Sequence, residues 1–255
     1  VNTQIAGNIK AISTKGTNAS LINMASIGTD MRVDQIKADG RVILLADGAT
    51  KQAGAYDIVN RTADKNKPNV EGTSISLIAS GKIGETGKAL TFRQNGVSPI
   101  FTGDDARNPH ILDPERKPTQ GVDMLAVGDI NVKGLDDGNN KVNTNVCAMI
   151  SRTGNVNAEF SGDTYIDEVT ANKEINITTR GKNLYINHLG ETAKYTTDYY
   201  GTNSNIHPTK VKLAALDLGS YWDENENPEY EHASDSTIVV KNGTIKGQGN
   251  GRPAH

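Results

Sequence analysis

GNVNAEFSGDTYIDEVTANKEINITTRGKNLYINHLG (residues 154–190) is the stretch that decides the fold. Val156 and Ile175 stand 19 residues apart, as do Ala158 and Ile177, and between them lies a second alternating run, TYIDEVTA. Each run is one short strand of period two, closed by glycine or a polar turn. Strands therefore arrive about every ten residues, and one full circuit takes about twenty. A single such strand cannot bury its apolar face, but a stack can, because each strand covers the one below. The same phrase recurs as GNIKAIS at Gly7, GRVILLADG at Gly40, GTSISLIASG at Gly72 and GDINVKG at Gly128. Ile22 and Val42 repeat the spacing, with MRVDQIKA between them. Helix signals are nearly absent, since glycine and β-branched residues stand where a helix needs Ala, Leu and Glu.

This pattern predicts an all-β chain forming a parallel β-helix, with residues 1–255 as one solenoid segment of a longer chain. About ten circuits at about 4.8 Å per strand would make a rod roughly 50 Å long. Val42, Leu44, Ile75, Leu77, Ile130, Val132, Val156, Ala158, Ile175 and Ile177 are the expected interior. Three polar, turn-rich segments break the rhythm and are read as long surface insertions: about 55–69, 96–121 and 195–231. The third carries Tyr195, Tyr199, Tyr200, Tyr221, Trp222 and Tyr230, six of the chain's twelve aromatic residues. The phrase VKLAALDLG, from Val211, sits between its two halves.

Composition narrows the function. The chain is 35% hydrophobic and 5% aromatic, lean for a globular enzyme of 255 residues and suited to narrow layers filled by Val, Ile, Leu and Ala. A net charge of −3 supplies no basic field for nucleic acid. No apolar run approaches the roughly 20 residues of a membrane-spanning helix, so no membrane insertion by this segment is expected. The sequence opens at Val1 without a basic-then-apolar leader, and the expectation is a processed piece of something longer. Its one cysteine, Cys147 in NVCAMIS, is expected to be a small buried strand residue.

ISLIASGKIGETGKALTFRQNG, from Ile75, resembles the repeats of filamentous-haemagglutinin-type exoproteins and the related large filamentous adhesins of the leukotoxin-named family. Those proteins repeat an alternating strand, Ala-x-Gly-x-Ile-Gly, a short variable turn and an apolar strand. Here Ala79, Gly81, Ile83 and Gly84 carry that core. ASIGTDMRVDQIKADGRVILLADG is a looser copy with Ile27 and Gly28 as its Ile-Gly pair, and GDINVKG resembles the family's strand opening. The resemblance implies a right-handed parallel β-helix forming the shaft of a very long secreted bacterial surface adhesin. It also implies an extracellular location and a host or bacterial surface glycan or protein as partner.

A few motifs carry chemistry of their own. GTIKGQG at Gly243 resembles a polygalacturonase repeat, and Asp104 and Asp105 sit in TGDDA. Glycoside hydrolysis needs two carboxylates about 5 to 10 Å apart across one cleft. Here the glycine motif follows the acids by well over a hundred residues, and that family's Asn-Thr-Asp, Gly-His-Gly and Arg-Ile-Lys partners are missing, so catalysis is not expected. LDDGNNK offers oxygen ligands but lacks EF-hand spacing and reads as an Asp-Gly turn. None of the five histidines is paired at metal-ligand spacing, so neither metal nor cofactor is expected. Asn at matching turns predicts hydrogen-bonded ladders. Tyr199, Tyr200, Tyr221 and Trp222 are the candidate ligand-binding residues: such rings stack on sugars or dock proteins, or else pack on the stack and anchor their own loop. The sequence reading is a non-catalytic shaft or filament, with end-to-end self-association through a non-closing interface as a variant. The alternative is a polysaccharide-binding or polysaccharide-cleaving protein of the tailspike or lyase type.

Overall fold

Each turn phrase returns the chain to a strand laid beside one formed roughly twenty residues earlier. The computed structural model describes residues 2–3, 7–13, 20–48, 56–64, 66–95, 121–138, 142–181, 183–192, 195–203, 205–216 and 237–243. These residues form strands and turns and no helix. The first layer is β1 (Asn2–Thr3) and β2 (Ile9–Ser13), and the second is β3 (Leu21–Ile27) and β4 (Met31–Ala38). The third is β5 (Arg41–Asp47), β6 (Ile58–Asn60) and β7 (Val70–Gly72), and the fourth is β8 (Ser74–Ala79) and β9 (Leu90–Gln94). Layers five to seven pair β10 (Val122–Ala126) with β11 (Ile130–Gly134), β12 (Thr144–Ser151) with β13 (Val156–Phe160), and β14 (Thr164–Ala171) with β15 (Glu174–Thr179). In the eighth, β16 (Asn183–Leu189) is followed by a small hairpin, β17 (Thr197–Asp198) and β18 (Gly201–Thr202), and then by β19 (Lys210–Ala215); β20 (Thr237–Gly243) begins the ninth.

The first strand of every layer joins one nine-stranded sheet, ordered β1-β3-β5-β8-β10-β12-β14-β16-β20, and the second joins another, ordered β2-β4-β7-β9-β11-β13-β15-β19 with β6 also on β4. Pairing is parallel throughout both. Nine strands at about 4.8 Å give the first sheet a height of roughly 40 Å, shorter than the rod expected from sequence. The ten residues expected inside are all buried.

Registration stacks like on like. Ile22, Val42, Ile75, Val122, Val146, Ile166, Ile186 and Val240 form one column of β-branched residues. Met31, Ile58, Ile83, Ile130, Val156, Ile175 and Val211 form its counterpart in the second sheet. One apolar cluster runs through the layers from Ile9 to Leu189. Phe92 and Phe160 come from layers two apart and meet edge-on, with ring centroids 6.2 Å apart. They meet beside Gly134, where a methyl group would sit 3.3 Å from the Phe160 ring.

Polar ladders run up the corners. The Asp57 N–H donates to Asp30 Oδ1 (2.9 Å), the Lys82 N–H to Asp57 Oδ1 (2.6 Å), the Asn155 N–H to Asp129 Oδ1 (2.9 Å) and the Glu174 N–H to Asn155 Oδ1 (3.1 Å). Asn143, Asp163 and Asn183 do the same at another corner. On the second sheet the Asn176 amide donates to Asn157, and Asn157 to Asn131, each at 2.9 Å. Ladders at matching turns form as expected, though Asp shares them with Asn, and the Asn131–Asn157–Asn176 ladder lies within strands rather than at turns.

Strict alternation fails in one column of the first sheet. Ile166, Val169 and Ala171 join the core, as do Val146 with Met149 and Ile186 with Leu189. The period slips by one residue in each, and pairing passes over Cys147 and Asp167 at the slip. This stacked bulge leaves Cys147 half-buried. Its sulfur occupies the space beside Gly121, so the fully buried position expected from its neighbours is corrected.

The insertion bounds also change. Residues 55–69 do not leave the stack as a whole: Ile58–Asn60 pairs with β4 as part of the second sheet, and the excursion begins at Arg61. Val70 returns to pair with Ile36 of the same strand. In the next layer Ile83 bridges Ile58 and Ile130, residues 84–89 leave, and Leu90 re-enters. Two successive layers therefore fork at one place. The fork is filled by Asn69, whose amide donates to Val33 O (3.0 Å), Asp34 O (3.2 Å) and Asn60 Oδ1 (3.0 Å), while its Oδ1 accepts from the Thr91 N–H and hydroxyl (both 2.9 Å). Arg61 grips Glu85 through both guanidinium nitrogens and ties the two excursions together. Of the second predicted insertion, residues 96–120 lie outside the described residues. The third is interrupted by β19, which carries the phrase noted there in the sequence.

Candidate functional site: a strap across the first sheet

Tyr199 and Tyr200 fall on the excursion that leaves after β16 in layer eight. It runs back down the outer face of the first sheet as a strap. The Tyr195 N–H donates to Glu168 Oε2 in layer seven (3.0 Å), and the Tyr195 hydroxyl reaches Asp123 in layer five (3.5 Å). Tyr200 lies beside Ser80 in layer four, and the Tyr199 hydroxyl donates to Asp47 in layer three. The strap therefore spans five strand spacings, roughly 24 Å. It returns through Ile206, whose carbonyl accepts from the Thr170 hydroxyl (2.8 Å), and His207, whose Nδ1 lies 3.0 Å from Gly190 O.

Arg152, just past β12, is the hub. Its guanidinium contacts Asp198 Oδ1 (3.2 Å), Gly201 O (3.2 Å), Asn203 Oδ1 (2.7 Å) and Thr202 O (3.1 Å). Asn203 also donates to Tyr195 O (2.9 Å), which closes the strap on itself. Beneath lies a second apolar cluster of Leu125, Ala148, Ile150 and Ile206, with Ile78, Tyr195, Tyr199 and Tyr200 packed on it. Tyr199 and Tyr200 meet edge-on with centroids 5.0 Å apart.

Burial, and then the charge of Asp123, pushes the Tyr195 phenol well above its ordinary pKa. Burial and Asp47 do the same to Tyr200. Burial and its bond to Asp47 raise Tyr199. All three phenols stay protonated at neutral pH. The described half of the aromatic candidates thus packs on the stack and anchors its own loop. Tyr221 and Trp222 lie outside the described residues. Arg152, Asp47 and Ser80, which pin the strap, carry no motif that marks them in the sequence.

The second sheet carries a groove of about 640 Å³ on its outer face, lined by Arg93, Lys133, Asp136, Asp137, Glu159 and Arg180 among others. Glu159 sits between Lys133 (3.2 Å) and Arg180 (2.7 Å). Burial raises its pKa, but the bond to Arg180 and the charge of Lys133 outweigh this and hold it below the ordinary value. The Asp-Gly turn forms as expected, with Gly138 at φ +87° and its N–H on Asp136 Oδ1 (3.1 Å). Among the described residues no three His, Cys, Asp or Glu side chains come together as a metal site, and no helix is long and apolar enough to cross a membrane. No protein family, curated protein or solved structure matches the chain.

Proposed function

We propose that this chain is a segment of a right-handed parallel β-helix serving as the non-catalytic shaft of a large secreted bacterial surface adhesin or extracellular filament. The observation that carries this reading is the stack itself: two parallel sheets ordered as the chain runs and one apolar core continuing through the layers. Such a stack grows by repetition and yields length and stiffness. The partner under this reading is a surface glycan or protein, and the location is extracellular. Negative-stain electron microscopy of the native protein tests it. Fibres many times longer than roughly 40 Å are expected; compact particles or short trimeric spikes would overturn the shaft.

The groove on the second sheet supports one alternative, polysaccharide binding. Its paired donors and acceptors lie across layers four to seven, as a linear glycan requires. Glu159, held ionised by two cations, is a poor general acid, so this alternative is a binding one. Loss of glycan-array signal in an Arg93→Ala, Arg180→Ala double variant, with the fibre form unchanged, would favour it over a bare shaft.

A further inference from the structure

The lower end of the strap closes over a patch of buried oxygen. Asp47 ends β5, and Ser80 follows β8 one layer on; the Ser80 N–H donates to Ala46 O (2.9 Å), which sets the two side chains on neighbouring rungs. Asp47 is 1% exposed and Ser80 2%. Asp47 Oδ1 accepts from the Gly48 N–H (2.7 Å). Asp47 Oδ2, Ser80 Oγ and Tyr200 Oη are all buried, and none has a hydrogen-bond partner in the protein. Tyr200 feels both the Asp47 charge and the Ser80 hydroxyl, so the three oxygens share one small region. Asp198 adds a second buried carboxylate on the same strap, with Oδ1 held by Arg152 and by the Tyr200 N–H and Oδ2 unpartnered. Arg152 pairs with Asp198 alone, and no ion pair reaches Asp47 among the described residues. A buried carboxylate without a counter-charge is costly even with the Gly48 N–H and the Tyr199 hydroxyl donating to it, and the unpartnered Ser80 and Tyr200 oxygens add to that cost.

We propose that Asp47 Oδ2, Ser80 Oγ and Tyr200 Oη bind a hard cation of the calcium class, which clamps the strap to layers three and four. The donors are all oxygen, one charged and two neutral, with no sulfur or nitrogen for a softer metal. Calcium accepts irregular oxygen shells and completes them with water, whereas magnesium demands near-octahedral geometry and dehydrates reluctantly. One carboxylate and two hydroxyls make a weak site, with Kd about 10⁻⁴ to 10⁻³ M, the range of extracellular modules. The cation balances the excess negative charge and makes closure of the strap depend on calcium.

Terbium luminescence tests this, because Tyr200 as a ligand and Tyr199, whose ring meets it edge-on, would sensitise a lanthanide bound there. On the intact chain, tyrosine-excited Tb³⁺ emission should saturate and be displaced by Ca²⁺, and Ca²⁺ should raise the unfolding midpoint with concentration. Asp47→Asn should lose both effects while keeping the wild-type circular dichroism. Ser80→Ala should weaken Tb³⁺ binding about tenfold, the loss of one ligand-strength interaction. Absence of saturable emission in the wild-type chain overturns the site and leaves an ordered water among the three oxygens. An equal Ca²⁺ shift in wild type and Asp47→Asn also overturns it, as a general surface effect. If Asp47→Asn does not fold, unchanged Tb³⁺ affinity in Ser80→Ala overturns the proposal by itself.

Discussion

Layers six to eight and layers three to four solve the same problem in different ways. In layers six to eight the strands are whole, side chains stack on their own kind, and polar positions repeat as ladders. In layers three and four the second-sheet strand is cut in two, yet the inward columns continue: Ile58 and Ile83 keep one and Val70 and Phe92 the other. What differs is the means of satisfying the backbone at the cut. Asn69, fully buried, supplies much of what neighbouring strand residues supply elsewhere, with the Asn60 amide on Ala89 O (2.8 Å) beside it. The repeated layers spread their polar interactions over many equivalent residues, while the forked layers concentrate them in a few.

That contrast should appear first in Gly84. Its φ is +71°, and a methyl group there would lie 2.0 Å from Asn131 O and 2.7 Å from Leu90 N, both backbone atoms. Gly84→Ala should cost about 4 kcal/mol or more by clash and left-handed strain together. Gly28→Ala, at φ +81° with nothing within 4 Å, should cost only about 1 kcal/mol of strain. Denaturant midpoints of the two variants read the difference, and equal losses would break the idea that the fork is the tight point.

Asn69→Ala comes next. It strands the Thr91 N–H in the interior and should cost about 3 kcal/mol. The matching change in a ladder, Asn157→Ala, removes two bonds at 2.9 Å from a half-buried surface row and should cost about 1 kcal/mol. Urea unfolding of both variants checks the ratio; a ladder as sensitive as the fork would show that repetition does not share the load.

The smallest expected effect concerns charge. Burial raises the Asp57 pKa against the pull of the Lys82 N–H, and Asp30 adds to the rise. A folded-state pKa above the unfolded value means that stability is greatest below the unfolded value and falls as pH rises through the folded one. Asp57→Asn keeps an acceptor for Lys82 and should give a slightly higher Tm at pH 7, with the gap closing near pH 3. Glu85 has the opposite sign: its bond to Arg61 lowers its pKa, so its contribution is present above the unfolded value and lost as pH falls through the folded one. Thermal unfolding across this range separates the two, and a gap that widens on acidification would reverse the assignment for Asp57.

The inward columns were legible in the sequence because strand periodicity and layer spacing are local: Val156 and Ile175 predict each other without knowledge of anything else. The fork was not. Ile58–Asn60 and Val70–Gly72 are each too short to show alternation; the first sits in AYDIVNRTADKNKPN, whose polarity reads as a loop, and the second directly follows it. Their pairing is decided by β4, which lies unbroken beneath both. The slip at Asp167 and Glu168 was hidden for a related reason, since a stacked bulge is visible only when the same step recurs in the strand above. The strap was half legible. Its aromatic content marked it, but contacts such as Tyr195 to Asp123 join residues 72 apart that share no period.

The fork also bears on how such a chain can change over generations. A layer opened at mid-strand keeps its inward residues and its pairing, so the number of residues between Arg61 and Asn69, or between Glu85 and Leu90, is free to drift while the interior stays fixed. Length variation between relatives should therefore gather at these two points, where a new surface feature can be added without rebuilding the layers that carry it.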